Sequence, residues 1–148
     1  MLKPNILIVE ARYHPHVASA LLDGATAVLD AAGVSFERLS MPGALEVPQA
    51  IALCAQSAGD KNYDGFVALG CVIRGDSYQF ELIANETARA LMDLGIRDGL
   101  CIGNGVLAVE SEEQALVLAS ANGGDAGGDA ARACLALVNH RSKLGSRR

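Results

Sequence analysis

The 148-residue sequence lacks a long hydrophobic run, although 51% of its residues are hydrophobic. Its longest apolar stretches are short or interrupted by Gly and Asp, which excludes a membrane-spanning helix. The first residues, Met-Leu-Lys-Pro, also lack the apolar stretch of a signal peptide. We therefore expect a cytoplasmic protein without a membrane partner.

The sequence also contains little that suits a disulfide, a zinc site or a nucleic acid. Its four cysteines are scattered among apolar neighbours with no C-x-x-C pair, which favours buried thiols over metal ligands. The net charge is −5, and the basic side chains cluster only in the tail, residues 141–148. Such a tail is more typical of a solvated helix end than of a nucleic-acid site, so we expect no nucleic-acid partner.

What the sequence does contain is an alternation of strand and helix patterns, over a length that suits one domain spanning residues 1–148. Short apolar runs predict strands at 5–9, 34–39, 65–73 and 100–109. Apolar positions at helical spacing predict helices over 16–32, 47–58, 77–95, 111–120 and 130–138. The glycine-rich stretch 121–128 should separate the last two helices.

Strands that alternate with helices indicate a parallel sheet covered on both faces. We predict an α/β fold of three layers, with a flavodoxin-like four-stranded parallel sheet of order 2-1-3-4. The segments that follow the strands would then meet at one edge, bringing together Tyr13 and His14, residues 43–46, residues 74–79 and the surroundings of Asn104. The alanine-rich helices of so small a sheet favour packing against further copies of the chain.

The stretch from Gly70 to Phe80 marks the end of the third strand and the start of a helix near Ser77. The free N–H groups of a first helical turn, together with the helix dipole, suit an anion such as phosphate. An ordinary strand-to-helix connection has the same composition. Spacing alone therefore leaves both interpretations open.

Several other candidates have weaker support. The glycine pattern of residues 103–108 matches a dinucleotide fingerprint by letters, but it falls inside a strand and no helix opens within it. His14 and His16 could supply two metal ligands, yet no third ligand has matching spacing, so exposed histidines are favoured and we predict no metal site. Glu46 either interacts favourably with the positive end of a helix dipole or accepts a hydrogen bond from a ligand. Tyr13 either stacks on a planar ligand or shields the end of the sheet from solvent.

Three motifs occur together and in order along the chain: Gly43-Ala-Leu-Glu46, Gly70-Cys-Val-Ile-Arg-Gly75, and Gly105-Val-Leu followed by Glu113-Gln-Ala115. From about Asn5 to Leu137 the chain thereby resembles the lumazine synthase family, which makes 6,7-dimethyl-8-ribityllumazine in riboflavin biosynthesis. The resemblance implies the fold predicted above, a pentamer that in some members closes into an icosahedral shell, and an active site between adjacent copies. It also implies that no metal or organic cofactor is needed.

The family reaction condenses 5-amino-6-(ribitylamino)uracil with 3,4-dihydroxy-2-butanone 4-phosphate, and the resemblance implies a role for each matching residue. Tyr13 stands where the family has its stacking aromatic residue. The ribityl chain would lie against Ala44, Leu45 and Glu46, and the pyrimidine against Cys71, Val72, Ile73 and Asn104. The phosphate would meet the segment Arg74, Gly75, Asp76 and Ser77.

Three positions depart from the family pattern. Gln79 replaces the proton-shuttling histidine, and an amide can form hydrogen bonds but does not titrate near neutral pH. Leu118 stands at the position of the phosphate-binding arginine, and Ala126 at that of a lysine. His14 is a candidate substitute base, and Arg74 or Arg132 could supply part of the missing positive charge.

These departures leave two interpretations. The chain is a lumazine synthase, which the intact pyrimidine and ribityl positions favour, or a homologue that binds a ligand or forms a shell without useful catalysis. A flavodoxin-like electron carrier or a phosphoreceiver is disfavoured, because residues 10–13 provide neither a Ser/Thr-rich phosphate loop nor an acidic cluster.

Overall fold

The computed structural model describes residues 3–57 and 62–145. In these ranges a parallel sheet is formed by β1 (Asn5–Ala11), β2 (Ser35–Met41), β3 (Gly65–Ile73) and β4 (Ile102–Val109), in the order β2-β1-β3-β4. The central strands β1 and β3 are buried along most of their length, as expected for apolar strands covered on both faces. The predicted strand order is confirmed.

Helices cover both faces of the sheet. They are α1 (Pro15–Ala32), α2 (Glu46–Gln56), α3 (Gln79–Arg97), α4 (Glu112–Ala119) and α5 (Ala126–Gly145). Alternate side chains of β1 enter different cores: Ile8 packs with α1, α4 and α5, whereas Val9 packs with α2 and α3. The predicted three-layer arrangement is therefore confirmed.

Helix α4 begins with a side-chain cap formed by Ser111 and Gln114. The Ser111 hydroxyl oxygen accepts a hydrogen bond from the Gln114 backbone N–H at 3.1 Å. The Gln114 side-chain oxygen accepts from the backbone N–H of Glu110 at 2.7 Å, one residue before the cap. Both donors are satisfied, although the second lies one residue earlier than in a standard capping box.

Helices α3 and α5 do not have their predicted bounds. Helix α3 continues through Gly95 to Arg97, and the chain turns instead at Gly99, whose φ of +67° favours glycine. Helix α5 begins at Ala126 rather than at residue 130, so the end of the glycine-rich stretch is helical. Gly127 is needed there because a Cβ atom would overlap the backbone carbonyl of Leu21 in α1.

Some expectations lie outside the described residues. These are residue 58, at the end of the predicted second helix, and residues 146–148 of the basic tail. In the described part of the chain, no helix combines the length and apolar character needed to cross a membrane.

Candidate active site at the carboxyl edge of the sheet

A cavity of about 450 Å³ lies where β1, β2 and β3 end. This is the edge at which parallel sheets commonly bind ligands. The lining residues predicted from the sequence are Tyr13, His14, Ala44, Leu45, Glu46, Cys71, Val72, Ile73, Gly75, Ser77 and Gln79. We call this space the carboxyl-edge cavity. It brings most of the predicted site residues together within one chain.

The turn between β1 and α1 carries Tyr13 and His14. Pro15 occupies the start of α1, where its fixed φ suits a helix and its missing N–H is not needed. The His14 carbonyl oxygen accepts the first helical bond, from the Ala18 N–H at 2.9 Å. The rings of Tyr13 and His14 meet edge to face at 5.1 Å, and Tyr13 is 77% exposed. The exposed ring of Tyr13 is therefore available to stack on a planar ligand in the cavity.

The turn between β2 and α2 forms a second wall. Backbone N–H groups of Glu46 and Val47 donate to the carbonyls of Gly43 and Ala44, each at 3.2 Å. A Cβ atom on Gly43 would lie only 3.1 Å from a carboxylate oxygen of Glu46. The Glu46 carboxylate thus lies over the turn, at the positive end of the α2 dipole and beside the cavity.

The end of β3 forms the third wall. Val72 is buried, while Cys71 and Ile73 are half-buried. Burial raises the pKa of Cys71 to about 11, with a smaller contribution from the negative charge of Glu112. The side chain is therefore a neutral thiol near neutral pH and a poor nucleophile there. Cys71 can shape the cavity, and its backbone remains available to a ligand.

The turn after β3 contributes only part of its predicted phosphate-binding residues. Gly75 and Ser77 line the cavity, whereas Arg74 and Asp76 do not. Helix α3 begins at Gln79, two residues later than predicted. The Ser77 hydroxyl oxygen accepts a hydrogen bond from the Gln79 N–H at 3.3 Å, which places an ordered turn ahead of the helix.

The guanidinium of Arg74 is engaged outside the cavity. It lies 3.1 Å from a carboxylate oxygen of Glu81 and 3.8 Å from one of Glu110. Its carbon also lies 5.5 Å from the centre of the Phe80 ring. A phosphate in the cavity would have to compete with these partners for Arg74. Arg132, the other suggested cation, lies on α5 and pairs with Asp125 and Asp129 at 3.1 and 2.7 Å.

Three predicted site residues lie on other elements. Asn104 was expected at the ligand-binding edge of the sheet, but it lies inside β4 opposite Ala68, and its side-chain oxygen accepts from the Val106 N–H at 2.9 Å. Leu118 lies on α4 and Ala126 begins α5. None of these three lines the carboxyl-edge cavity of the described chain.

Gly43, expected at this edge together with residues 44–46, also lines the cavity. The lining residues absent from the prediction are Pro42, Phe80 and Ile83. The helical spacing of Gln79 and Ile83, four residues apart, would have indicated that they share a face. Pro42 was identifiable as a member of the turn before α2. A position in a turn does not by itself show that a residue faces a cavity.

The charge of the cavity is as informative as its shape. Its lining includes Glu46 and the imidazole of His14, but among the described residues it includes no lysine or arginine. A phosphate here would depend on backbone N–H groups, hydroxyls or groups supplied from elsewhere. Across residues 3–57 and 62–145, no group of three or more His, Cys, Asp or Glu side chains could hold a metal ion.

A larger cavity of about 640 Å³ lies at the opposite edge of the sheet, beside Pro4, Asp64 and the end of α5. Its Arg141 already donates to the carbonyls of Asp64 and Gly99, at 2.6 and 3.3 Å. This cavity lies far from the ends of the strands that carry the predicted motifs. We therefore assign the candidate active site to the carboxyl-edge cavity.

Comparison with known proteins agrees with the geometry. Residues 3–142 match the family described as 6,7-dimethyl-8-ribityllumazine synthase. The chain is 52% identical to "6,7-dimethyl-8-ribityllumazine synthase 1" of Rhizobium meliloti, over 98% of this chain and 97% of the relative. It is 50% identical to the protein of the same name from Mesorhizobium japonicum, over 98% and 90%. It is also 52% identical to the 6,7-dimethyl-8-ribityllumazine synthase of Sphingopyxis alaskensis, over 95% and 97%. The chain therefore belongs to the 6,7-dimethyl-8-ribityllumazine synthase family.

Proposed function

We propose that the chain is a 6,7-dimethyl-8-ribityllumazine synthase of riboflavin biosynthesis. It condenses 5-amino-6-(ribitylamino)uracil with 3,4-dihydroxy-2-butanone 4-phosphate through an imine, loss of phosphate and ring closure. The observation that carries this proposal is the carboxyl-edge cavity, where one chain gathers an aromatic side chain, a carboxylate and the end of strand β3. Holding two reactants in such a cavity lowers the entropic barrier to their reaction.

The pyrimidine side of the cavity is the more complete one. Tyr13 stacks on the heterocycle, while the strand end at Cys71, Val72 and Ile73 offers backbone hydrogen bonds to its edge. Glu46 lies where its carboxylate can accept hydrogen bonds from the hydroxyl groups of the ribityl chain, and Ala44 and Leu45 lie beside it.

The phosphate and proton-transfer side relies on fewer charged groups. Gly75 and Ser77 offer polar contacts to the phosphate, with Arg74 and Asp76 in the same turn. Gln79 orients a reacting group or a water molecule, and His14 is the candidate base because its imidazole lines the same cavity. Leu118 and Ala126 supply no charge, which predicts weak phosphate binding.

The active protein is a homo-oligomer in this proposal, a pentamer or a larger shell in the cytoplasm. Asn104 and Leu118 lie on elements outside the cavity of their own chain, so a second copy is needed to place them there. Helix α3 exposes large apolar side chains suited to burial between copies, including Met92 at 63% and Ile96 at 74%. Light scattering of the purified protein measures the size of the assembly.

The decisive experiment is a single-turnover assay with both substrates on the native protein and on Gln79→His. A positioned acid–base group typically contributes about 10²- to 10⁴-fold, so the variant should form product at least about ten-fold faster. Gln56→His is the matched control, since it makes the same change at an exposed position at the end of α2, outside the cavity. It should leave the rate unchanged.

A second candidate function is a catalytically weak or inactive homologue that binds a ligand or builds a shell. The absence of a lysine or arginine from the described cavity lining favours it. Product from the native protein contradicts an inactive homologue, and its rate with saturating substrates distinguishes a weak homologue from an ordinary synthase. No product from the native protein or from Gln79→His, with substrate binding retained, contradicts the synthase proposal.

A further inference from the structure

Glu10, near the end of β1, is a buried carboxylate that the proposed chemistry does not use. Its residue is only 1% exposed. Its oxygens lie 2.8 Å from a guanidinium nitrogen of Arg12 and 3.1 Å from the Nε of Arg38. The Ser40 hydroxyl also donates to it at 3.1 Å. A buried carboxylate is tolerated only with such partners, so these side chains are held in place together.

One set of these contacts fixes the turn that carries Tyr13 and His14. Arg12 directly precedes Tyr13, and its second terminal nitrogen donates to the Ser19 hydroxyl of α1 at 2.7 Å. Arg12 therefore bridges the end of β1 and the first turns of α1. The residues between these two attachment points include Tyr13 and His14, which line the cavity.

The other contacts fix the turn before α2. Glu10 and Ser40 are register partners in the pairing of β1 with β2, and Arg38 lies on the same strand. Ser40 precedes Pro42 by only two residues, so its bond to Glu10 anchors the point at which the chain leaves the sheet. One carboxylate is thus linked to two of the three walls of the carboxyl-edge cavity.

We infer that Glu10 is a positioning residue for the candidate active site. Its charge holds the Tyr13–His14 turn and the Pro42–Glu46 turn at a fixed separation, and this separation sets the width of the slot for the flat heterocycle. The effect on catalysis rests on the proposed synthase function. The effect on the two turns does not.

Amide hydrogen exchange on the full-length native protein and on Glu10→Gln tests the inference. The reporters are the hydrogen-bonded N–H groups of Ala18 in the first turn, and of Glu46 and Val47 in the second. Without the negative charge both turns open more often, so these amides should exchange at least about five-fold faster. The Arg74 N–H, bonded to Val109 O across β3 and β4, is the internal reference and should not change.

Two milder variants keep the test usable if Glu10→Gln does not fold. Ser19→Ala removes only the contact to α1 and should speed exchange at Ala18 alone. Ser40→Ala removes the hydroxyl contact from β2, leaves the Arg38 contact in place, and should speed exchange at Glu46 and Val47 alone. Asp23→Asn is the control, because it removes the same charge from an exposed position on α1 and should change neither turn.

Kinetics provide an independent measurement. Glu10→Gln should raise the KM for the pyrimidine about ten-fold and leave the KM for the ketone phosphate within about two-fold, because Tyr13 and Glu46, one on each turn, border the pyrimidine side. Unchanged exchange in both turns, or equal acceleration at Arg74, would overturn the inference. A native protein without synthase activity would refute the proposed function, whereas the exchange data would still decide the role of Glu10.

Discussion

His14 and Gln79 line the same cavity, although they lie on different turns and far apart in sequence. Of the two side chains, only an imidazole can serve as a general acid or base, because a primary amide does neither. The edge-to-face contact with Tyr13 and the start of α1 hold His14 in a defined position. Its position supports the interpretation that His14 takes over part of the proton transfer that Gln79 cannot perform.

We predict that His14→Ala lowers kcat about 100-fold, with a smaller change in the KM for either substrate, because the loss falls mainly on proton transfer. Steady-state kinetics with both substrates measure the effect. His16→Ala is the matched control, since His16 is exposed two residues further along α1 and does not line the cavity. A normal kcat for His14→Ala, or an equal loss in both variants, would exclude this role.

At the residue scale, the sequence predicts best where position follows from strand and helix ends. Tyr13, Glu46 and Ile73 reach the cavity because each lies at or just beyond the end of a strand or at the start of the next helix. The orientation of Arg74 was not predictable in this way. Its guanidinium is drawn toward Glu81 and Glu110, which come from two other segments of the chain.

At the scale of secondary-structure elements, two glycines have different structural roles. Gly99 adopts a positive φ in the turn that follows α3, as expected of a glycine that ends a helix, but Gly127 lies within α5. Its role is close approach to the backbone of α1 rather than a turn. Local composition cannot distinguish these roles, because the second depends on a helix more than 90 residues earlier in the sequence.

We predict that Gly127→Ala destabilises the protein by about 1–3 kcal/mol, because the added Cβ forces α5 away from Leu21. The intrinsic preference of alanine for helices, about 1 kcal/mol over glycine, opposes this loss but does not cancel it. Gly95→Ala is the control within α3, where the nearest atom to an added Cβ is 3.6 Å away, an ordinary contact. Denaturant unfolding should show a loss for the first variant and a gain of about 0.5–1 kcal/mol for the second. Equal shifts in both would contradict the packing explanation.

At the scale of the whole molecule, the strand order followed from the alternation of strands and helices, because right-handed crossovers leave few topologies. The alternation did not show whether one chain supplies all the residues of the site. The resemblance assigns Asn104 to a binding position and puts Leu118 where the family has an arginine, yet the described chain places these residues on β4 and α4, away from the cavity. The resemblance implies an active site between adjacent copies, but the sequence of one chain does not say which surfaces of two copies meet to form it.

The stability of the whole molecule should depend on pH through a thiol that links α5 to the sheet. Cys134 is fully buried, and its sulfur lies 3.7 Å from the carbonyl oxygen of Cys101. Burial raises the pKa of Cys134 from 9.0 to about 12. Between these two values the unfolded chain loses the thiol proton while the folded chain keeps it, so the free energy of unfolding falls as pH rises.

We predict that the Cys134 thiol makes the free energy of unfolding fall more steeply, by about 1.4 kcal/mol per pH unit, between its unfolded and folded pKa values. Other groups titrate in the same range, and comparison with Cys134→Ala removes their contribution because they are present in both proteins. Denaturant unfolding from pH 8 to pH 11 should therefore give a shallower decline above about pH 9 for the variant, even if its stability at pH 8 is lower. Cys54→Ala serves as the control, because that thiol is only half-buried and the change in slope should be smaller. Parallel curves for the native protein and Cys134→Ala would show that the folded protein does not retain this proton, and the thiol would then have to be accessible to solvent at high pH.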